Sequence, residues 1–66
     1  MKILNRCQFK VGEIVKAAWC KYEVLAIRYG KALGEQEYGI VMDVRVVPYG
    51  YFYSNQSVKY FRKLDQ

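Results

Sequence analysis

Hydrophobic and polar residues alternate most regularly between residues 38 and 48, YGIVMDVRVVP. The even-numbered positions of this segment are apolar, whereas the odd-numbered positions include Gly39, Asp43 and Arg45. A period of two is typical of a strand with one buried face. We therefore predict a central strand here, with an inward face formed by Tyr38, Ile40, Met42, Val44 and Val46.

This register predicts opposite effects on folding for substitutions at the neighbouring positions Val44 and Asp43. A charge at Val44 would be buried without a partner and is expected to prevent folding. Asp43 and Arg45 are predicted to be an ordinary solvated pair on the outer face, so Asp43→Asn is expected to be nearly neutral. Equal effects from Val44→Asp and Asp43→Asn would mean a register shifted by one residue.

The first half of the chain contains two further apolar segments. Residues 13 to 19 alternate and predict a strand with Val15 and Trp19 inward. Residues 20 to 30, CKYEVLAIRYG, contain four consecutive apolar residues and fit either a buried strand or one face of a helix. Their β-branched and aromatic content, without an N-cap residue, favours a strand. The alternative is an α+β fold with a helix at about residues 17 to 30.

The second half of the chain is divided by turn residues. Residues 48 to 50, PYG, end the central strand and predict a hairpin turn. Residues 51 to 53 then form a short returning strand, in which Tyr51 and Tyr53 share one face and are left exposed if Phe52 points inward. Residues 54 to 57, SNQS, predict a polar turn.

The last apolar residues, Val58, Phe61 and Leu64, recur at intervals of three. That spacing suits a brief strand with a single 3₁₀ turn near residues 60 to 63, after which Leu64 closes the core. Five short strands in a chain of 66 residues predict one all-β domain with one core, arranged as a small open barrel.

Three segments carry a resemblance to a known family. VGEIVKA, GIVMDVRV and VKYFRKLD resemble the small barrels of Src-homology-3 (SH3) type, and more narrowly the short proteins of that shape encoded by tailed phages. The matching residues are Val11, Gly12, Glu13, Ile14, Val15, Gly39, Ile40, Val41, Leu64 and Asp65. The long link over residues 20 to 37 departs from the pattern. The resemblance implies a five-stranded SH3-like open barrel and a phage origin, and it carries no functional residues with it.

Charge is distributed unevenly along the chain. The net charge of +5 lies in residues 1 to 33, where seven Lys or Arg face two Glu, whereas residues 34 to 66 hold four of each sign. The cations are spaced at intervals and do not form a basic run. Two interpretations remain open: a solvated, mildly basic surface, or an anionic partner such as nucleic acid.

The residue types argue against several kinds of chemistry. The chain has no histidine and no threonine, so we predict a protein without catalytic function, without a metal and without a cofactor. Cys7 and Cys20 could form one bridge, but the first residues lack the apolar core of an export signal, which favours free thiols. No apolar run is long enough to span a membrane. These observations predict a cytoplasmic protein, in the host cytoplasm or in a virion if it is phage-encoded.

Aromatic residues make up 17% of the chain and crowd its C-terminal third. Their rings either cover the core while their hydroxyls face the solvent, or they form a surface that contacts another protein. The second interpretation predicts a non-catalytic protein-interaction or assembly module, such as a phage accessory or virion-associated protein that binds a protein partner or itself. Its interaction patch would be Tyr49, Tyr51, Tyr53 and Tyr60.

A second hypothesis from a different class is a small basic barrel that binds single-stranded nucleic acid. Trp19, Tyr51 and Tyr53 would stack on bases. The predicted phosphate contacts are Lys16, Lys21, Arg28 and Lys31. The salt dependence of the binding affinity distinguishes the two hypotheses, because binding through phosphate contacts weakens steeply as the ionic strength rises.

Overall fold

A computed structural model describes residues 8 to 65 and shows a five-stranded antiparallel sheet. The order of the strands across the sheet is β4-β3-β2-β1-β5, and a 3₁₀ turn, Val58–Tyr60, precedes the last strand. The strands are β1 (Ile14–Ala17), β2 (Cys20–Lys31), β3 (Tyr38–Val47), β4 (Phe52–Ser57) and β5 (Arg62–Lys63). The predicted all-β class is confirmed, and the sheet is consistent with a small open barrel. The helical alternative is wrong, because residues 20 to 31 form a strand.

The alternating pattern of β3 places one face against the core. Met42 and Val44 are fully buried and Val46 nearly so, which confirms the inward positions in the middle of the strand. Ile40, also predicted inward, is half-buried, and Val41, on the odd-numbered side, is only 2% exposed. Tyr38 was predicted inward but is 63% exposed, because it pairs with Lys31 at the open end of the sheet, beyond the core. The core cluster consists of Phe9, Val15, Val24, Met42, Val44 and Phe61.

A bulge in β2 explains why the pattern of that strand was ambiguous. Val24 pairs with Val44 and Ala26 pairs with Asp43, so Leu25 is an extra residue between two regular pairs. Val24 and Ile27 consequently both pack in the core although they lie three residues apart, which is a helical spacing. The bulge therefore produces a helix-like spacing of buried residues in the sequence, although the backbone is an extended strand.

The turn between β1 and β2 corrects one prediction. Ala17 pairs with Cys20, so the chain reverses over the two residues Ala18 and Trp19. Val15 is fully buried as predicted, but the side chain of Trp19 is 100% exposed. The prediction that Trp19 points inward is wrong, because β1 ends before the alternation could carry that residue to the core.

Ala18 in this turn adopts a left-handed backbone conformation, with φ of 52°. Residues with a Cβ resist that region, whereas glycine enters it readily. We expect Ala18→Gly to raise the free energy of unfolding by about 0.5–1 kcal/mol, measured by urea denaturation. The control is Ala17→Gly in β1, where glycine should lower stability by a similar amount. A loss of stability in both variants would contradict the strain at Ala18.

The C-terminal third keeps the predicted elements but shifts their bounds. The hairpin turn after β3 is confirmed: Val47 and Pro48 are joined by a cis peptide bond, and the Val46 N–H donates to Tyr51 O at 2.7 Å. Residues 54 to 57 were predicted to be a turn but continue β4. This strand contains a second bulge, since Tyr53 pairs with Val44 and Gln56 with Met42, leaving two residues opposite Asp43.

Two apolar side chains, Leu64 and Phe52, are exposed in the structure. The 3₁₀ turn begins at Val58, earlier than predicted, so Phe61 is buried in the core and Leu64 is 45% exposed. The prediction that Leu64 closes the core is therefore wrong. Phe52 pairs with Arg45 on the outer face and is exposed, so the inward position on which the predicted exposure of Tyr51 and Tyr53 depended does not occur.

Candidate functional site

An open groove of about 330 Å³ lies at one end of the core, where strands β1 to β4 approach the 3₁₀ turn. Tyr22 stands at its centre. The Tyr22 ring meets the Phe61 ring edge-on at a centroid distance of 5.4 Å and the Tyr53 ring at 6.4 Å. Such edge-to-face contacts hold aromatic rings in defined orientations. The described lining, which includes no charged side chain, is Ala17, Tyr22, Val44, Tyr53, Gln56, Tyr60 and Phe61.

Strand register explains why the tyrosines reach this aromatic groove. Tyr22 pairs with Val46 and Tyr53 pairs with Val44, so both rings lie on the core face of the sheet. The sheet is too small to cover them fully, and Tyr53 keeps nearly half of its surface exposed. Tyr60 reaches the groove from the 3₁₀ turn and is also exposed.

The four tyrosines of the predicted patch are thus placed differently. Tyr53 and Tyr60 line the groove. The hydrogen bond from Val46 to Tyr51 O extends the β3–β4 register by one residue and places Tyr51 on the same face as Tyr53. Tyr49 is exposed in the hairpin turn and is not a lining residue.

Sequence reasoning missed Tyr22 and Phe61 as walls of the groove. The signal for Tyr22 was its spacing of two from Val24, which puts both on one face of a strand. Burial, and then the neighbouring Cys20, raise the pKa of the Tyr22 hydroxyl above its ordinary value. The hydroxyl therefore stays neutral at physiological pH, where it can both donate and accept a hydrogen bond.

Three cations lie directly opposite one another across β5, β1 and β2. Lys16 pairs with Arg62 on one side and with Lys21 on the other. We call Arg62, Lys16 and Lys21 the cation row. A recess of about 250 Å³ is lined by two of these cations together with Ala17, Ala18 and Tyr60. This recess shares Ala17 and Tyr60 with the aromatic groove, so the two adjoin.

The other two predicted phosphate contacts lie elsewhere. The Arg28 guanidinium forms a bidentate ion pair with Asp43, with both N to O distances 2.8 Å, and also donates to Asn55 Oδ1. The Lys31 ammonium sits 5.7 Å from the centroid of the Tyr38 ring at the open end of the sheet. The structure therefore brings Lys16 and Lys21 together and separates them from Arg28 and Lys31.

A second groove, of about 290 Å³, is lined by the loop between β2 and β3, the start of β3 and the chain around the 3₁₀ turn. Lys59 Nζ and Glu35 Oε1, from two of its lining residues, form an ion pair at 2.8 Å. Tyr38 is the single aromatic residue of its described lining, whereas three tyrosines and one phenylalanine line the aromatic groove. We therefore take the aromatic groove as the candidate functional site.

Cysteine and acidic side chains offer no further site in the part of the chain that the structure describes. Cys20 is a free, exposed thiol, and Cys7 lies outside the described residues. Among residues 8 to 65, no group of three or more His, Cys, Asp or Glu side chains could hold a metal ion. Within the same residues, no helix is long and apolar enough to cross a membrane.

Searches of protein-family models, curated proteins and solved structures each give no match for this chain. Function is therefore inferred from the geometry of the aromatic groove and the cation row themselves.

Proposed function

We propose that this chain is a non-catalytic protein-binding module whose aromatic groove receives a short extended segment of a partner protein. The observation that carries the proposal is the convergence of Tyr22, Tyr53 and Tyr60 on one open groove from three separate elements. Tyrosine offers a large rigid surface that loses little conformational entropy on binding, and it is enriched where proteins meet.

The chemistry of the groove suits a polypeptide segment. Its floor is apolar, being formed by Val44 and Phe61, while the tyrosine hydroxyls and the Gln56 amide offer hydrogen bonds at the rim. Its volume is near the lower end of the range for small-molecule sites, and it is open to solvent. A segment that inserts apolar side chains and leaves its backbone at the rim would use both kinds of surface.

An assembly role extends this proposal. The resemblance of VGEIVKA, GIVMDVRV and VKYFRKLD to SH3-type barrels of tailed phages suggests an accessory or virion-associated protein. Five antiparallel strands with a 3₁₀ turn before the last strand are consistent with a small open barrel. Exposed Tyr51, on the same face as Tyr53, offers further contact area to a second copy of the chain or to a different partner.

The test is a selection of peptides from a displayed random library, followed by anisotropy measurements on the enriched peptides. We expect Tyr53→Ser to weaken their binding by about 10- to 30-fold, the size of a central aromatic contact. Raising the salt concentration should change the affinity little, because the described lining of the groove carries no charge. Sedimentation of the unliganded protein measures self-association in parallel.

The matched control is Tyr38→Ser, which removes an exposed tyrosine at the far end of the sheet. This variant should bind the selected peptides like the parent protein, and circular dichroism should show that both variants stay folded. Equal weakening by Tyr38→Ser and Tyr53→Ser would show that the groove is not the binding site. A selection that enriches no peptide would count against a protein segment as the ligand.

A further inference from the structure

We propose that the cation row and Trp19 form a binding site for single-stranded nucleic acid on the outward face of the β1–β2 hairpin. This site adjoins the aromatic groove and shares Tyr60 with it, but its cations and Trp19 are not lining residues of that groove. It rests on the register of β5, β1 and β2 and on the exposure of Trp19, neither of which the proposed protein-binding function requires.

The register concentrates positive charge at one place. Side chains of directly opposed residues lie on one face with Cβ atoms about 4.5–5.5 Å apart. With strands about 4.8 Å apart, the cation row spans roughly 10 Å across three strands. A polyanion that follows this face can contact Lys21 and Arg62, which stand at the two ends of the row.

The acidic residue nearest to Lys21 in register is paired with a different cation. Glu23 follows Lys21 by two residues on the same face of β2, where it lies opposite Ile14. Its carboxylate forms an ion pair with Arg45 from β3. Lys21 and Arg62 are both exposed, so their ammonium and guanidinium groups can reach a polyanion in solvent.

Aromatic rings flank the cation row at both ends. Trp19, at the tip of the hairpin, is two residues from Lys21 and has a fully exposed indole. Tyr60 forms a wall of the recess that also contains Lys16 and Arg62. Cations that follow a phosphate backbone, combined with rings that stack on bases, are the features that bind single strands without sequence preference.

The exposure of Trp19 favours a single strand over a duplex. An indole at a hairpin tip gains contact area by stacking on the face of an unpaired base, and base pairing in a duplex hides those faces. An acidic peptide could neutralise the same cations, but it offers no base for Trp19 to stack on. The response of Trp19 to binding therefore distinguishes a single-stranded nucleic acid from an acidic peptide.

Trp19 is the single tryptophan of the chain, so its fluorescence reports binding at this site directly. We would titrate the full chain with 12-nucleotide oligothymidylate and oligouridylate and with a 12-base-pair duplex. We expect both single strands to quench Trp19 and to bind more tightly than the duplex. Two phosphate contacts, by Lys21 and Arg62, give a slope of log affinity against log salt of about −1.4, or roughly a 7-fold loss between 50 and 200 mM.

Charge variants test the row itself. Lys21→Gln and Arg62→Gln should each reduce the steepness of the salt dependence by about 0.7. The matched control is Lys31→Gln, which makes the same charge change at the open end of the sheet and should leave the slope unchanged. Trp19→Ala, followed by anisotropy of a labelled oligonucleotide, should weaken binding on the order of 10-fold. Because Trp19 is fully exposed, that variant should fold like the parent.

Three results would overturn the proposal. The first is the absence of Trp19 quenching at micromolar oligonucleotide in low salt. The second is a salt slope reduced as much by Lys31→Gln as by Lys21→Gln, which would indicate diffuse attraction to net charge. The third is equal affinity for the oligonucleotides and for poly-glutamate, with Trp19→Ala neutral for both. Tyr53→Ser should leave oligonucleotide binding unchanged, so failure here is distinguishable from failure of the protein-binding proposal.

Discussion

Val44→Asp is expected to unfold the chain. Val44 is fully buried and lies between Val24 on β2 and Tyr53 on β4, so an aspartate there would place an unpaired carboxylate in the core. The cost of burying such a charge is several kcal/mol, which is comparable with the whole stability of a small domain. The measurement is the loss of the β-sheet signal in circular dichroism and of dispersion in the amide proton spectrum.

Val47→Asp is the matched control for this variant. It makes the same substitution three residues further along the same strand, on the outer face, where Val47 is half-buried and pairs with Lys21. A carboxylate there faces a cation across the strands, so the fold should persist with a small change in stability. Retention of the fold in Val44→Asp together with unfolding of Val47→Asp would mean that β3 is displaced by one residue from this register.

Asp43→Asn is expected to lower stability by about 1–2 kcal/mol, the size of the charge-assisted hydrogen bonds that it weakens. The Asp43 side chain is 18% exposed and accepts both N–H groups of the Arg28 fork. Its Oδ1 also accepts the backbone N–H of Asn55 at 3.1 Å. An asparagine keeps the shape but loses the charge and one acceptor. Urea denaturation at neutral pH measures the difference.

The position of Asp43 gives this network its importance. The bulge of β2 at Leu25 and the bulge of β4 both lie beside Asp43, and Asn55 in the second bulge has a left-handed φ of 55°. Asp43 therefore holds both neighbours of the central strand where their regular pairing is interrupted. The control is Asp65→Asn, which makes the same change at an exposed residue near the C-terminus and should be close to neutral.

The Asp43 network also predicts a pH dependence. The hydrogen bonds from Arg28, followed by that from Asn55, hold the pKa of Asp43 below its ordinary value, and Lys63 does the same for Glu13. A carboxyl group with a lowered pKa in the folded state stabilises the fold above its unfolded pKa of about 4, and this stabilisation is lost as the pH falls further. In Asp43→Asn, the fall in stability between pH 6 and pH 3 should be smaller than in the parent. An identical fall in both proteins would contradict the role of Asp43.

The role of Asp43 in the structure differs from the role that the sequence pattern predicted. The alternation of β3 correctly predicted that Asp43 points outward, and from this alone its replacement by asparagine was expected to be nearly neutral. The pattern could not show that Arg28, fifteen residues earlier, would reach it. That meeting depends on the bulge at Leu25, which shifts every later residue of β2 relative to β3.

Local pattern was sufficient wherever a strand is regular and one face is buried. It determined the all-β class, the register of β3, the burial of Val15 and the turn after Val47, because alternation and turn chemistry act between residues close in sequence. It failed for Trp19 and Leu64, which lie just beyond the last pairs that keep a strand in register. At such positions the path of the backbone determines whether a side chain is buried, whatever its apolar character.

Both candidate sites were decided by the tertiary structure. The sequence by itself established an excess of tyrosine and of positive charge in a chain that folds as a small sheet. Only strand pairing brought Tyr53 to Tyr22, only the position of the 3₁₀ turn brought Tyr60 to the same groove, and only the β1–β5 pairing set Arg62 beside Lys16. The physical reason is that pairing across strands joins residues far apart in sequence, such as Lys16 and Arg62 at 46 positions, and a period of two along one strand contains no information about its neighbour.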